Sequence, residues 1–110
     1  MAYKIPEGVK ETARRAVKWI EQGYAGAGFT QVGKIRARQL AAGGEISEDI
    51  VKRMKSYFAR HQNDKKAEGF KYGEKNFPSP GRVAWDAWGG DAGEDWVNSL
   101  DITSGFYNAK

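Results

Sequence analysis

The chain has 110 residues, a formal net charge of +4 and no cysteine. Its length predicts one domain with a modest core over residues 1–110, and its 40% hydrophobic and 13% aromatic residues exclude wholesale disorder. The lack of cysteine excludes disulfides and thiolate metal sites and favours a reducing compartment. Because no apolar run approaches the roughly 18 residues of a membrane span and the first residues carry no apolar signal region, we expect a cytoplasmic protein that does not enter membranes.

Five segments carry the apolar spacing of helices, and no strand pattern of comparable length competes with them. The predicted helices cover residues 6–22, 30–42, 47–62, 79–89 and 91–101. Residues that favour the helix N-cap begin four of them, namely Thr30, Ser47, Ser79 and Asp91. The pattern therefore predicts an all-α fold, a compact bundle of about five helices with an irregular connector over residues 63–78.

The apolar positions predict which side of each helix faces the core. In the second helix the inner positions are Val32, Ile35 and Leu40, and Arg38, close to that side, is a candidate for an internal salt bridge. The third helix has a longer apolar face, made of Ile50, Val51, Met54, Tyr57, Phe58 and His61. We expect the connector to be anchored by its aromatic residues, Phe70, Tyr72 and Phe77. The tail over residues 103–110 is expected to fray, unless its two aromatic residues, Phe106 and Tyr107, pack against the domain.

Positive charge is concentrated in the first part of the chain. Residues 1–62 hold twelve Lys and Arg against six Asp and Glu, whereas residues 63–110 hold six against eight. Three helices joined by glycine-rich turns are compatible with a helix-turn-helix-like arrangement, and the excess of cations favours nucleic acid as the partner. The residues expected to contact phosphates are Arg14, Lys18, Lys34, Arg36, Lys52, Arg53 and Lys55. In the alternative, these cations are ordinary solvated helix faces.

Tryptophans are concentrated near the other end, where three of the four lie within twelve positions. An indole ring buries a large area and needs a partner for its N–H. We therefore expect Trp85, Trp88 and Trp96 to pack in the core and hold the C-terminal half together. In the alternative, they form a contact surface for a protein partner together with Asp86 and Asp91.

Three partial motifs for catalysis or metal binding fail on inspection. Residues 28–34 match the start of a P-loop, but Ile35 replaces the hydroxyl residue that would hold magnesium, and a helix precedes them where the motif needs a strand. His61 is the only histidine, which excludes His-based zinc sets and favours a core or capping role. The carboxylates of the tryptophan-rich segment mostly lie in the first turn of a predicted helix, where acids are favoured without a ligand. We expect no metal, no cofactor and no enzymatic activity.

Three segments of the chain resemble a small module of tailed-bacteriophage and prophage proteins, which stands alone or beside head-morphogenesis segments such as prohead proteases. They read RARQLA over residues 36–41, RMKSYFARH over 53–61 and SPGRVAWDAWGGDAG over 79–93. The resemblance covers about residues 6–97 and implies a viral origin, no cofactor, and a place in the host cytoplasm or in the virion. It brings no activity and no catalytic residues.

Together, these features predict a phage-derived, non-enzymatic binding module. The leading expectation is that it binds nucleic acid through the basic helical face. The alternative is a protein-interaction module, either an accessory protein of the virion or head or an inhibitor of a host protein, that uses the tryptophan-rich segment.

Overall fold

A computed structural model describes residues 2–102 and shows five α-helices and one two-stranded sheet in that range. In chain order the elements are β1 (Ala2–Lys4), α1 (Glu7–Glu21), α2 (Gln31–Ala42), β2 (Glu45–Ser47), α3 (Glu48–Arg60), a 3-10 helix (Gln62–Lys66), α4 (Pro80–Ala87) and α5 (Gly90–Ser99). The all-α prediction is confirmed, and each helix end lies within two residues of its predicted position. The predicted tail, with Phe106 and Tyr107, lies outside the described residues.

Three of the four predicted N-caps are confirmed. The side-chain oxygens of Thr30, Ser47 and Ser79 each accept a hydrogen bond from the backbone N–H three residues later, at 3.1, 3.3 and 3.1 Å. These bonds satisfy backbone donors that have no partner inside the helix. The caps therefore fix where α2, α3 and α4 begin.

The prediction that Asp91 caps the fifth helix is wrong. The helix begins one residue earlier, with Gly89 as its N-cap at φ +115°. That backbone conformation favours glycine, and a Cβ at Gly89 would also lie only 3.0 Å from the Cα of Gly93. Asp91 instead accepts a hydrogen bond from the indole N–H of Trp85 at 2.9 Å, so its carboxylate satisfies the donor of the buried tryptophan.

The short sheet was not predicted. β1 and β2 pair antiparallel, with Tyr3 opposite Ile46, and the N–H of Ile5 donates to the carbonyl of Gly44 at 2.8 Å. Strands of three residues are too short to show an alternating pattern. The pairing joins the start of the chain to the α2–α3 connection and buries Ile5 and Ile46.

The predicted inner face of α2 is wrong except at Leu40. Val32 and Ile35 are each 53% exposed, whereas the buried positions are Gly33, Arg36, Ala37 and Leu40. Ala37 packs with Ala16 of α1 and Ala87 of α4, so small side chains let three helices meet closely. This contact turns α2 so that its β-branched residues point away from the core, and it buries Arg36 where Arg38 was expected.

The main core lies between the five helices and β2, and Trp85 is fully buried in it. The Trp85 ring makes edge-to-face contacts with Phe58 and Phe70, at ring-centroid distances of 4.8 and 6.0 Å. Phe70 thus anchors the connector as predicted, and Phe77 does so by packing on Trp19 at 5.5 Å. Tyr72 only covers Phe77 and is 89% exposed.

Candidate functional site

The seven cations predicted to contact phosphate fall into separate groups. Arg14 and Lys18 are exposed on α1, and Lys34 is partly exposed on α2. Within residues 2–102, no ion pair involves any of these three side chains. Exposed Arg38, which was not among the seven, has no carboxylate partner in that range either.

The three cations of α3 that were predicted to contact phosphate are already engaged. Lys52 and Arg53 pair with Glu48 and Asp49, one turn earlier on the same helix, at 3.4 and 2.8 Å. The ammonium of Lys55 donates to the carbonyl of the residue that follows α5, at 3.3 Å. Local acids therefore offset much of the positive charge that the sequence assigned to this helix.

Arg36 does not face solvent and cannot contact phosphate in the way expected. Its side chain is buried, with 7% of the residue exposed. The guanidinium lies over the Trp88 ring at 5.0 Å and donates to the Gln39 side-chain oxygen at 2.6 Å. Burial lowers the pKa of Arg36, and nearby Arg53 lowers it further.

The tryptophan-rich segment divides into a buried and a partly exposed part. Trp85 and Asp86 are each 1% exposed, which confirms the expectation of core packing for Trp85. Trp88 and Trp96 are half-buried, and exposed Asp91 is bound to the Trp85 indole. Among the predicted contact residues in this segment, Trp88 is the one that lines a large opening on the surface.

Asp86 joins α1 to α4. One carboxylate oxygen accepts from Arg15 at 2.8 and 3.1 Å, and the other accepts from Arg82 at 3.2 Å. Burial raises the pKa of Asp86, while Arg82 and Arg15 act in the opposite direction. We call this group the Asp86 tether (Arg15, Arg82 and Asp86). The polar cavity beside it measures about 140 Å³.

The Asp86 tether has the arrangement of a structural contact. Both oxygens of the carboxylate are engaged by guanidinium groups, and Arg82 also donates to the carbonyl of Phe70 at 2.7 Å. Within the described part of the chain, no group of three or more His, Asp or Glu side chains is placed to hold a metal ion.

An aromatic opening lies between the start of α2 and the end of α3, and we call it the α2–α3 groove. It consists of two adjoining cavities of about 310 and 260 Å³, which share Arg60 and Trp88. The residues that matter for its chemistry are Phe29, Thr30, Val32, Tyr57, Arg60, His61, Asp64 and Trp88. Val32 lines the smaller cavity, and Ile35 follows it by one turn on the exposed side of α2.

A stack of planar groups forms the wall of the groove. Tyr57 stacks on His61 at 4.3 Å and on Trp88 at 4.7 Å, with ring planes 25° and 7° apart. Arg36 continues the stack beyond Trp88. Because the faces of Tyr57 and Trp88 are occupied in this way, the groove presents their ring edges rather than an open cage of aromatic faces.

Tyr57 carries a buried hydroxyl that no residue in the range 2–102 satisfies. The residue is 5% exposed, and burial raises its pKa, with a further contribution from the nearby carboxylate of Asp64. A buried polar group without a partner is uncommon in native structures and costs stability. The Tyr57 hydroxyl is therefore a destabilising feature of the wall of the groove.

The sequence motifs that border the groove have structural roles. His61 ends α3, and its Nδ1 lies 3.2 Å from the Asp64 carboxylate, in line with the predicted capping role. Residues 28–34 follow helix α1 and form a turn and the first part of α2. The element directly before them in the described chain is helix α1, where a P-loop requires a strand.

The groove was missed from the sequence because it depends on the rotation of α2. The available signal was the spacing of Gly33, Ala37 and Leu40, which places two small residues and one large one on a single helix side. A prediction that placed these three residues in the core would have left Val32 and Ile35 exposed. The β-branched residues Val32 and Ile35 instead favoured the wrong face of α2.

Comparison of the chain with protein-family models, curated proteins and solved structures finds no match. Within residues 2–102, no helix is both long and apolar enough to cross a membrane. The interpretation of the site therefore depends on its own geometry.

Proposed function

We propose that this chain is a non-enzymatic binding module that docks a protein segment in the α2–α3 groove. The observation that carries the proposal is Val32, which is 53% exposed and lines the groove with Trp88. Ile35, one turn further along α2, is equally exposed. Exposed apolar side chains next to a concave aromatic surface are typical of protein contact sites. In view of the resemblance to a phage module, the partner would be a virion or head component or a host protein.

Arg60 is the charge at the groove that an acidic residue of the partner could bind, whereas the carboxylate of Asp64 in the same cavity lies 3.2 Å from Nδ1 of His61. Arg60 is exposed, and its Nε donates to the carbonyl of Ser56 within its own helix at 3.3 Å. No carboxylate in the described chain forms an ion pair with Arg60. A partner with an acidic residue beside its apolar anchor would satisfy this guanidinium.

The experiment is selection of a displayed random peptide library against the purified protein. We expect enriched peptides to carry a large apolar residue and an acid, and their binding to be lost in Val32→Asp and Ile35→Asp. Tyr72→Ser is the matched control, because Tyr72 is exposed but does not line the groove. Selected peptides that bind both α2 variants as well as they bind the wild type would contradict the proposal.

A second candidate function is nucleic-acid binding by the cations that remain unpaired. Arg14 and Lys18 are one turn apart on α1, Lys34 and Arg38 are one turn apart on α2, and α1 packs directly against α2. Four cations on adjoining helices are a smaller surface than the seven predicted. They still favour a phosphate backbone, whose binding weakens steeply with salt.

A gel-shift experiment with duplex and single-stranded DNA tests this second candidate. If it is correct, Arg14→Glu with Lys18→Glu abolishes the shift at about 50 mM salt, where phosphate contacts are strong. Arg53→Glu is the control, since Arg53 already pairs with Asp49. The wild type failing to retard DNA under these conditions would remove this candidate.

A further inference from the structure

A compact loop over residues 69–79 presents one aromatic ring to solvent. The two ends of the loop meet, since the N–H of Ser79 donates to the carbonyl of Gly69 at 2.9 Å. Its exposed middle part carries Tyr72, which is 89% exposed, the largest fraction among the large hydrophobic residues in the described range. Surface loops whose ends lie together are frequently functional, so this loop is a candidate binding element.

The loop is held in shape by its own hydrogen bonds. One carboxylate oxygen of Glu74 accepts from the backbone N–H groups of Gly69 and Lys71, at 3.1 and 3.0 Å. The N–H of Glu74 donates to the carbonyl of Lys71 at 3.1 Å, which closes a turn. Tyr72 and Gly73 are the central residues of this turn, and Gly73 has φ +90°, a conformation that favours glycine. Because the backbone at Tyr72 is already ordered, less conformational entropy is lost when the ring binds a ligand.

Side chains from the body of the protein support the ring. Tyr72 packs edge-to-face with Phe77 at a centroid distance of 5.5 Å, and Phe77 packs in the same way with Trp19 of α1, also at 5.5 Å. The guanidinium of Arg82 lies over both of these inner rings, 5.3 Å from Phe77 and 5.9 Å from Trp19. Phe77 and Trp19 are half-buried, so Tyr72 is the ring of this cluster that offers an accessible surface to a ligand.

Lysines flank the exposed ring. Lys71 and Lys75 lie on either side of Tyr72 in the sequence and are exposed, and neither forms an ion pair within residues 2–102. Residues 66–75 hold three lysines against two glutamates. Of these two, Glu74 is bound by the backbone N–H groups of Lys71 and Gly69, and these bonds lower its pKa. The charges of the loop therefore favour an anionic ligand.

The Asp86 tether adds positive charge beneath the loop. It contains two guanidinium groups and one carboxylate. The guanidinium of Arg15 lies over the Trp19 ring at 5.3 Å, and its side chain is 49% exposed. The surface around Tyr72 thus combines an open ring with an excess of cations from the loop and from the helices that support it.

We propose that the loop over residues 69–79 binds single-stranded nucleic acid by stacking one base on Tyr72 and contacting the flanking phosphates through Lys71 and Lys75. Aromatic rings beside cations are typical of single-strand binding sites, where unpaired bases stack on the ring. In a duplex the neighbouring pairs cover the faces of the bases, so a duplex does not suit the ring. The site lies outside the α2–α3 groove and does not use the four cations of the second candidate function.

The probe is a labelled oligothymidylate of about ten nucleotides, titrated with the protein at about 50 mM salt and followed by fluorescence anisotropy. We expect a Kd of about 10⁻⁶–10⁻⁴ M. An abasic strand of the same length keeps the phosphates without the bases and should bind about 5-fold or more weakly. Absence of binding up to about 10⁻⁴ M, or equal affinities for the two strands, would overturn the inference.

Variants of the exposed ring test the stacking. Tyr72→Ala is expected to weaken binding of the oligothymidylate by about 5- to 150-fold, the range for the loss of one stacked base. Tyr72→Phe keeps the ring and should bind as the wild type does. Ile35→Ala is the control for the truncation of an exposed apolar side chain elsewhere. Equal affinities of the wild type and Tyr72→Ala would show that the ring takes no part.

Variants of the lysines test the phosphate contacts. In the double variant Lys71→Gln with Lys75→Gln, the slope of log affinity against log salt should become less steep by about 1.4, which is about 0.7 for each lost contact with a single strand. Lys4→Gln removes an exposed lysine from β1 and is the control. An unchanged slope in the double variant would contradict the role of the lysines.

The outcomes separate this inference from the two proposed functions. If binding of the single strand depends on Arg14 and Lys18 but not on Tyr72, the surface of α1 and α2 binds it and the loop inference is wrong. If it depends on Tyr72 while no library peptide depends on Val32, the loop site stands and the protein-docking function is wrong. Library peptides that lose binding in Tyr72→Ser, with no binding of the oligothymidylate, would assign the loop to a protein partner instead.

Discussion

The Asp86 tether and the α2–α3 groove both bury a polar side chain beside a tryptophan. They differ in whether the buried polar atoms have hydrogen-bond partners. Both oxygens of Asp86 accept from guanidinium groups, and the neighbouring Trp85 indole donates to Asp91. In the wall of the groove, the buried Tyr57 hydroxyl has no partner within the described chain, and neither has the Nε of Arg36, which is buried behind that wall. Complete satisfaction is typical of a structural contact, whereas a buried polar atom without a partner is uncommon and costs stability.

Removing the carboxylate of the tether should have the largest effect. Asp86→Ala leaves Arg15 and Arg82 facing each other without their shared acceptor, and we expect the free energy of unfolding to fall by about 3 kcal/mol. Chemical denaturation measures this loss, which corresponds to a decrease in Tm of about 12 °C or more. Asp49→Ala is the control, because it breaks a surface pair with Arg53 that is expected to contribute less than about 1 kcal/mol. Equal losses in the two variants would contradict the structural role of Asp86.

The two sides of α2 provide the second test. Leu40→Ala should cost about 2–5 kcal/mol, because Leu40 is fully buried and a cavity replaces its side chain. Ile35→Ala removes a similar side chain from the exposed side and should change stability by about 0.5 kcal/mol or less. Urea denaturation of both variants compares them directly. If Ile35→Ala proved the more damaging change, the rotation of α2 described here would be wrong.

Tyr57→Phe should have the smallest effect, with a sign opposite to that of most core changes. Because the hydroxyl is buried without a partner, its removal should leave stability unchanged or raise it by up to about 1 kcal/mol at neutral pH. Tyr72→Phe, at a position that is 89% exposed, gives the effect of losing a hydroxyl at the surface. A loss of more than about 1 kcal/mol would show that the hydroxyl is satisfied and would weaken the contrast with Asp86.

The same variant gives a prediction at alkaline pH. The pKa of Tyr57 is raised in the folded protein, chiefly by burial, so the unfolded chain releases this proton first, near pH 10. Above that pH the unfolded state is favoured, and the free energy of unfolding falls by up to about 1.4 kcal/mol per pH unit from this group. Denaturation curves between pH 9 and 11 (roughly the window set by that pKa) should show a shallower decline in Tyr57→Phe than in the wild type.

The helices were predictable because their signals are local. Thr30, Ser47 and Ser79 act within three residues of themselves, and the apolar face of α3 is long enough to define one side. Asp91 shows the limit of such signals. Its side chain is suited to capping a helix, but it accepts a hydrogen bond from the Trp85 indole instead. The competing partner lies on another helix, and local spacing does not show it.

The candidate site was less predictable because its residues are placed by tertiary contacts. The rotation of α2 follows from the meeting of Ala16, Ala37 and Ala87, which three separate helices contribute. That rotation exposed Val32 and buried Arg36, so it both created the groove and removed one cation from the predicted basic face. Charge counting likewise could not show that Arg15 would be bound to Asp86.

The Asp86 tether also has a consequence for the order of events during synthesis. Arg15 and its carboxylate partner are 71 positions apart, so α1 leaves the ribosome long before α4 exists. Contacts of such large sequence separation form late and slow folding. Until α4 has emerged, the first helices cannot complete their packing, and truncated products that lack α4 should be recognised by cellular proteases as unfolded chains.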